Sequence, residues 1–280
     1  MRLQSWYKSP MDGTLKYQIW TKDGYIIEAC VVFFPEKPAP VNICISSQIG
    51  CECSCSFCVT GYKRFVRNLL SEEIQEQLAL IFQKNPELLK CCFEITYMGT
   101  GEPLLNWENV CRSAERFSAE YRRLYRINIS SIFPQICLPI EKIFLLNTPV
   151  HFQFSLHFVT DEKRKRYFRR ALPPIAAVLN RLNKLYELGR RPYCINYILF
   201  DSINDRKEDA EALIQMVRPL PAYLKISKYC PIPCSTLKPS LNYEAFTDIL
   251  CQSGVRWKAF ESKGADIRAA CGHLLSDIQF

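Results

Sequence analysis

Cys44 to Cys58 reads CISSQIGCECSCSFC. Within it Cys51, Cys55 and Cys58 stand as C-x3-C-x2-C. Three thiolates at those gaps can wrap three corners of one cubane cluster. A 4Fe–4S cluster normally takes four cysteine ligands, so three leave one iron open to bind a small molecule directly. A fourth cysteine, Cys53, lies inside the run. C-x-C-x-C-x2-C therefore also admits a zinc site or a fully ligated electron-transfer cluster. A zinc site needs a second Cys or His pair at matching spacing, and His151, His157 and His273 supply none. The spacing favours the open cluster.

The rest of the composition sets bounds. A chain of 280 residues suits one large domain or two small ones. A hydrophobic content of 48% is ample for a full core. No apolar run reaches the ~18 residues of a membrane span. The N-terminus, MRLQSWYKSPMDG, lacks the apolar region of a signal peptide, so the chain is expected to stay in the cytoplasm. Fifteen cysteines is an odd count, and without an export signal it reads as reduced thiols. Cys30, Cys91, Cys92, Cys111, Cys137, Cys194 and Cys251 sit in apolar runs and read as small core residues. The net charge of +8 agrees with a polyanionic partner, but its distribution says more than its total.

Upstream of the cysteine run, LKYQIW (15–20) and YIIEACVVFF (25–34) are β-rich and joined through Asp23-Gly24, a hairpin signal. PEKPAP (35–40) breaks the second run. Residues 1–40 are expected to form a small antiparallel appendage to a domain spanning 41–280. From Val41 onward short apolar strands alternate with helical patterns. Strands are expected at 41–46, 93–98, 126–130, 151–156, 194–200 and 223–229, with a last one at 255–261. Helices are expected at 71–82 (capped by Ser71), 107–118 (capped by Asn106), near 138–146 and 173–188, and at 206–217 and 243–252. Six β-then-α units give an α/β fold with a mostly parallel sheet, an open partial (β/α)6 barrel. A doubly wound sheet is the alternative. In a barrel, working residues sit at the C-terminal ends of strands. Cys51–Cys58, Gly99–Glu102, Ser130 and His157 all fall there.

Five ordered motifs, CISSQIGCECSCSFCVTG (44–61), RNL (67–69), MGTGEPLLN (98–106), SLH (155–157) and DIRAACGHL (266–274), resemble the RlmN/Cfr class of radical-SAM RNA adenine methyltransferases. The likeness runs from about Asp12 to the C-terminus, and GEPLLN looks more like the adenine carbon-2 branch than the carbon-8 branch. The resemblance implies a radical-SAM barrel, a 4Fe–4S cluster on Cys51, Cys55 and Cys58, and two S-adenosylmethionine (SAM) molecules per turnover. The first would methylate Cys271. The second would bind the open iron and yield a 5′-deoxyadenosyl radical that takes a hydrogen from that methyl group, so that the carbon adds to the base. Cys44 would resolve the adduct by forming a disulfide with Cys271, and Glu28 is the candidate base for the ring proton. Gly101 and Glu102 would contact the methionine end of SAM. Ser130, Ser155, Leu156 and His157 would hold the rest. The implied partners are structured RNA (rRNA or tRNA) and a reduced flavodoxin-like electron donor, with no membrane; a monomer is expected. On the bland reading Cys271 is a packed small residue in an AACG turn and Glu28 an exposed strand residue.

Four departures from the family pattern stand out. The helical N-terminal domain usual in the family has no counterpart in the sequence. Cys230 stands where the family has an asparagine before Pro-x-Pro. Ile132-Phe133 replaces Ser-Gly. Lys263-Gly264 replaces Arg-Gly. Set against them is DEKRKRYFRR (161–170), a basic and aromatic run after His157 that reads as an RNA contact or as a solvated helix face. Two rival readings follow: a radical-SAM enzyme with a non-RNA substrate, and a non-catalytic iron–sulfur RNA-binding protein.

Overall fold

Residues 1–34 and 39–275 are described by a computed structural model, so part of the PEKPAP break (35–38) lies outside the described residues. Strands β1 (Arg2–Lys8), β2 (Leu15–Trp20) and β3 (Ile26–Val32) form an antiparallel meander. The hairpin across Asp23-Gly24 is as expected. β1 is an addition, and its pattern of half-buried and exposed residues is that of an edge strand. β3 then pairs antiparallel with β4 (Val41–Ile45), which joins the meander to the main sheet. β5 (Gln48–Ile49) and β6 (Arg67–Asn68) form a separate two-stranded ladder that clamps the two ends of the cysteine loop together.

The chain continues through α1 (Ser71–Lys84), β7 (Phe93–Tyr97), α2 (Trp107–Glu120) and β8 (Leu124–Ser131). The segment between β8 and β9 (Val150–Ser155) holds a 3-10 helix, Ile140–Leu145, where an α-helix was expected. Then come α3 (Asp161–Tyr167), α4 (Ile175–Gly189), β10 (Tyr193–Leu199), α5 (Lys207–Val217), β11 (Ala222–Lys228), α6 (Tyr243–Ser253) and β12 (Trp257–Phe260). Ser71 falls in the first turn of α1 rather than at its cap: the Glu73 carboxylate accepts from Leu70 N at 2.9 Å.

The large sheet runs β1-β2-β3-β4-β7-β8-β9-β10-β11-β12, and every pairing from β4 to β12 is parallel. A doubly wound sheet reverses its strand order at a switch point, and among the described residues the order never reverses. The strand chemistry agrees. Residues such as Ile43, Ile95, Ile127, Phe152, Ile195 and Leu224 join the helices in one apolar core. The residues between them are polar and bond across strands instead: Asn42 to Glu94 (2.7 Å) and Thr96 (2.8 Å), Lys225 to Gln153 (2.7 Å), Ser227 to Asn196 (2.9 Å). A sheet covered by helices on both faces would read as continuous apolar runs. Here helices cover one face, and the other is a largely enclosed polar face that carries Glu28, Cys44 and Lys225.

Candidate functional site

The cysteine loop leaves the β5–β6 ladder and is tied to the start of the basic run. Cys55 bridges Phe168, and Ser56 N donates to Tyr167 O at 3.0 Å. Burial, then the neighbouring Cys51 and Cys58, push the Cys55 thiol well above its ordinary range. Burial and Cys51 raise Cys58 to about 11. The three thiols share one short loop, which suits a shared cluster whose irons take up the thiolate charge. Cys53 is 2% exposed and packs among Phe57, Ile132, Phe158, Phe168, Phe200 and Tyr229. Its N–H donates to Cys51 Sγ at 3.4 Å, so it backs the loop from the core side. Among the described residues no three His, Cys, Asp or Glu side chains close on a single metal ion. Ligands on different corners of a cubane have no need to.

The GTGEP turn follows β7. Gly101 has φ +103, and a Cβ there would meet the Gln48 side chain at 2.6 Å, so only glycine fits. Gln48 Oε1 in turn accepts from Glu102 N at 2.8 Å. The buried Glu102 carboxylate accepts from Ser131 Oγ (2.6 Å), Leu104 N (3.0 Å) and Ile132 N (3.1 Å). Burial outweighs those three donors and raises its pKa to about 7. A carboxyl whose folded pKa lies above its unfolded value favours the fold at low pH and loses that advantage as pH rises. Stability of the cluster-free protein should therefore fall between about pH 4.5 and 7 by roughly 3 kcal/mol from this group. Denaturant midpoints across that window should flatten in Glu102→Gln; an unchanged slope would show that Glu102 titrates normally. Asn106 is the N-cap residue of α2, as expected, but its side chain makes no cap bond; it donates instead to Ser47 O and Leu69 O, both at 2.7 Å, bracing both ends of the cysteine loop. Gln48, Asn106 and Ser131 were missed as site residues, although the first two sit inside the quoted motifs.

Cys271 lies on a C-terminal segment held from three sides. Gly264 N donates to Asp12 Oδ2 (2.7 Å), Leu275 N donates to Glu28 Oε2 (2.7 Å), and Val59 N, just past Cys58, donates to Gly272 O (2.8 Å). Cys271 is exposed and its Sγ is 3.8 Å from Met98 Sδ, at the head of the MGTGEP turn. Cys44, on β4, has its pKa pushed up to about 12 by burial and then by Cys271. The structure thus brings the two proposed redox thiols, the cluster loop and the GTGEP turn to one end of the parallel strands. Glu28 is fully buried rather than exposed. Its carboxylate takes Lys16 Nζ at 3.0 Å, Gln18 Nε2 at 2.8 Å and Leu275 N at 2.7 Å.

Ser130 sits beside Gln153 in the sheet register, and its neighbour Ser131 holds Glu102. Leu156 N donates to Asn196 O at 3.1 Å. His157, with φ +55, accepts from Ile198 N through Nδ1 at 3.2 Å and packs edge-on to Phe57. Burial, then Arg164 and Lys225, lower it to about 3, so it is neutral. Ser155 is half-buried at the end of β9. Cys230 O is hydrogen-bonded by His273 Nε2 at 3.3 Å, which links it to the Cys271 segment. Ile132 and Phe133 are buried, and Phe133 takes φ +53, a left-handed conformation that favours glycine. The basic run is less open than its sequence suggests. Arg164 is 1% exposed, donates to Ile132 O at 2.9 Å and lies over the Phe154 ring. Lys163 pairs with Asp209 and Arg170 with Glu52. Lys165, Arg166 and Arg169 remain exposed, with Arg169 over the Tyr62 ring.

Comparison with known proteins fits this geometry. A radical SAM methyltransferase from Sphaerobacter thermophilus superposes with a TM-score of 0.87 at 27% identity, over 98% of this chain and 81% of that one. Streptococcus suis SuiB bound to S-adenosylmethionine shares the fold, with a TM-score of 0.56 at 14% identity over 79% and 50% of the two chains. The fold and the site together define a radical SAM methyltransferase. No protein-family model matches the chain. A probable dual-specificity RNA methyltransferase RlmN of Thermotoga neapolitana is 34% identical over 279 residues, 95% of this chain and 77% of the relative. That of Petrotoga mobilis is 33% identical over 274 residues, 95% and 76%. At that identity and coverage the chain belongs to the RlmN family of RNA methyltransferases.

Proposed function

We propose that the chain methylates a ring carbon of adenine, carbon 2 ahead of carbon 8, in rRNA or tRNA, through a methylated Cys271 and a transient Cys44–Cys271 disulfide. One observation carries this reading: the segment that bears Cys271 packs through Ala269 against Cys44 and is bonded at Gly272 to the residue after Cys58. Cys51, Cys55 and Cys58 hold a 4Fe–4S cluster. Gly101, Glu102, Ser130, Ser155, Leu156, His157 and the Cys230 turn hold S-adenosylmethionine. When bound, the two groups supply the methyl group and the radical chemistry that a poorly nucleophilic ring carbon needs. Cys271 attacks the first methyl group as a thiolate and later yields it to the base. Glu28 accepts the ring proton once the Leu275 contact opens and frees one of its oxygens. The reading takes two SAM molecules per turnover, a reduced flavodoxin-like donor, a monomer in the cytoplasm, residues 1–40 as the appended unit and residues 41–280 curved as an open (β/α)6 barrel. Among the described residues no helix is long and apolar enough to cross a membrane.

Peptide mass spectrometry of anaerobically purified protein tests the core of this. One added methyl group on Cys271 is expected. An unmodified Cys271 after incubation with SAM and reductant would leave only the fold and the cluster motif in common with the family.

The exposed Lys165, Arg166 and Arg169, beside Tyr62 and the cysteine loop, are placed to track RNA phosphates. Their joint replacement by alanine should weaken RNA binding and lower the slope of log affinity against log salt by about 2. Arg164→Met, which removes a buried cation, should leave that slope alone. Equal slopes for the wild type and the triple variant would remove this surface from the RNA path.

A further inference from the structure

We propose that Cys30 is a third redox thiol of the reaction: it takes Cys44 over from the Cys44–Cys271 disulfide and frees Cys271 for the next methylation. This rests on the reading of Cys44 and Cys271 given above. The sheet register places Cys30 directly opposite Cys44. Opposed residues of an antiparallel pair lie about 4.5–5.5 Å apart at Cα and project to the same face. A disulfide spans about 4.4–6.8 Å at Cα. Cys30 is 2% exposed and clusters with Ala269, Leu274, Cys44 and Ile267. Its Sγ is 3.8 Å from Ala269 O, two residues before Cys271. The Cys271 segment therefore lies across both strand thiols, with Cys44 opposite Cys30 and packed against the cluster that includes Ala269.

The exchange balances without an oxidant. The Cys30 sulfur attacks Cys44 Sγ. The Cys30–Cys44 bond forms as the Cys44–Cys271 bond breaks, and the electron pair leaves on the Cys271 sulfur. That thiolate ends with the proton Cys30 gave up. A dithiol reductant later opens the Cys30–Cys44 bond and is itself oxidised to a disulfide. The surroundings keep Cys30 silent until then. Burial, Cys44 and Glu28 hold it as a neutral thiol, while Lys16, opposite it in register, favours the thiolate.

The test uses cluster-loaded protein. It is oxidised anaerobically with limiting diamide, capped with N-ethylmaleimide, and mapped by fragmentation of Glu-C peptides. Cleavage after Glu28, Glu36, Glu52 and Glu261 separates Cys30, Cys44 and Cys271. In the wild type a Cys30–Cys44 bond is expected to predominate, with Cys271 capped. In Cys30→Ser the bond is expected to move to Cys44–Cys271. A wild-type map with Cys44–Cys271 joined and Cys30 capped overturns the role of Cys30 and leaves the wider reading standing. A Cys30→Ser protein with no bond between Cys44 and Cys271 overturns both. The wild-type map needs no variant to fold.

Discussion

Replacing Lys16 by methionine is expected to cost about 3–5 kcal/mol of folding stability. Lys16 Nζ meets Glu28 Oε1 at 3.0 Å, and the two side chains are 1% and 0% exposed. Methionine keeps the length and apolar stem of lysine and removes only the charge. Among the described residues Glu28 would then be a buried anion held by the Gln18 amide and the Leu275 N–H. Neither neutral donor replaces an ammonium in a dry site. The attraction between the pair barely repays the cost of desolvating both, but removing one partner leaves the whole cost of the other. Lys16→Met with Glu28→Leu should therefore recover most of the loss, since neither member of the pair is left as an unpaired charge. Urea midpoints of the wild type, the single and the double variant measure this. A single variant within about 1 kcal/mol of wild type would mean that water reaches the pair. The effect should extend to the site, because the Leu275 N–H to Glu28 is one of the three bonds that hold the Cys271 segment.

That pair shows what the sequence could not carry. LKYQIW and YIIEACVVFF are legible as strands, and the turn between them as a hairpin. The pairing of Lys16 with Glu28 depends on register and on burial of the face they share, which no local pattern in either strand states. The sequence therefore left Glu28 as a candidate base or an exposed strand residue, and it is sealed. The alternation of strand and helix was legible because apolar residues recur with a strand's period and then a helix's. The segment before β9 misled because IEKIFLL has helical composition yet closes only a 3-10 turn.

The site was legible where spacing along the chain encodes it, and less so where neighbours are distant in sequence. CxxxCxxC and GTGEP each lie in one loop, so their residues meet whatever the rest of the chain does. Ser130 and Ser131 differ by one residue, yet in a strand that step turns the side chain to the other face; it is Ser131 that reaches Glu102. The charge run 161–170 read as one surface. Thr160 caps α3 by accepting from Lys163 N at 3.2 Å, and one turn later Arg164 points into the core. Composition counts that arginine as surface charge, while the fold spends it on the Ile132 carbonyl and two aromatic rings.

Cys51→Ala, Cys55→Ala and Cys58→Ala are each expected to abolish cluster absorbance and SAM cleavage, whereas Cys53→Ala should keep both. Burial would otherwise speak for Cys53, since it is the most enclosed of the four thiols. Its setting argues the reverse. Cys53 is packed into the aromatic cluster of Phe57, Phe158, Phe168, Phe200 and Tyr229 on the core side of the loop. Cys51, Cys55 and Cys58 are half-buried, and a loop turn brings Cys58 N onto Cys55 O at 3.3 Å, so the C-x2-C pair is already folded back as a chelate. Cys53 contributes packing and the N–H that donates to Cys51 Sγ. Alanine keeps that N–H and removes one buried sulfur, a cost of about 1 kcal/mol. Iron content, visible absorbance and 5′-deoxyadenosine release after reduction read the four variants side by side. Loss of the cluster in Cys53→Ala at unchanged fold would make it a four-cysteine site with no open iron. SAM would then have nowhere to bind the metal, and the radical reading would fall with it.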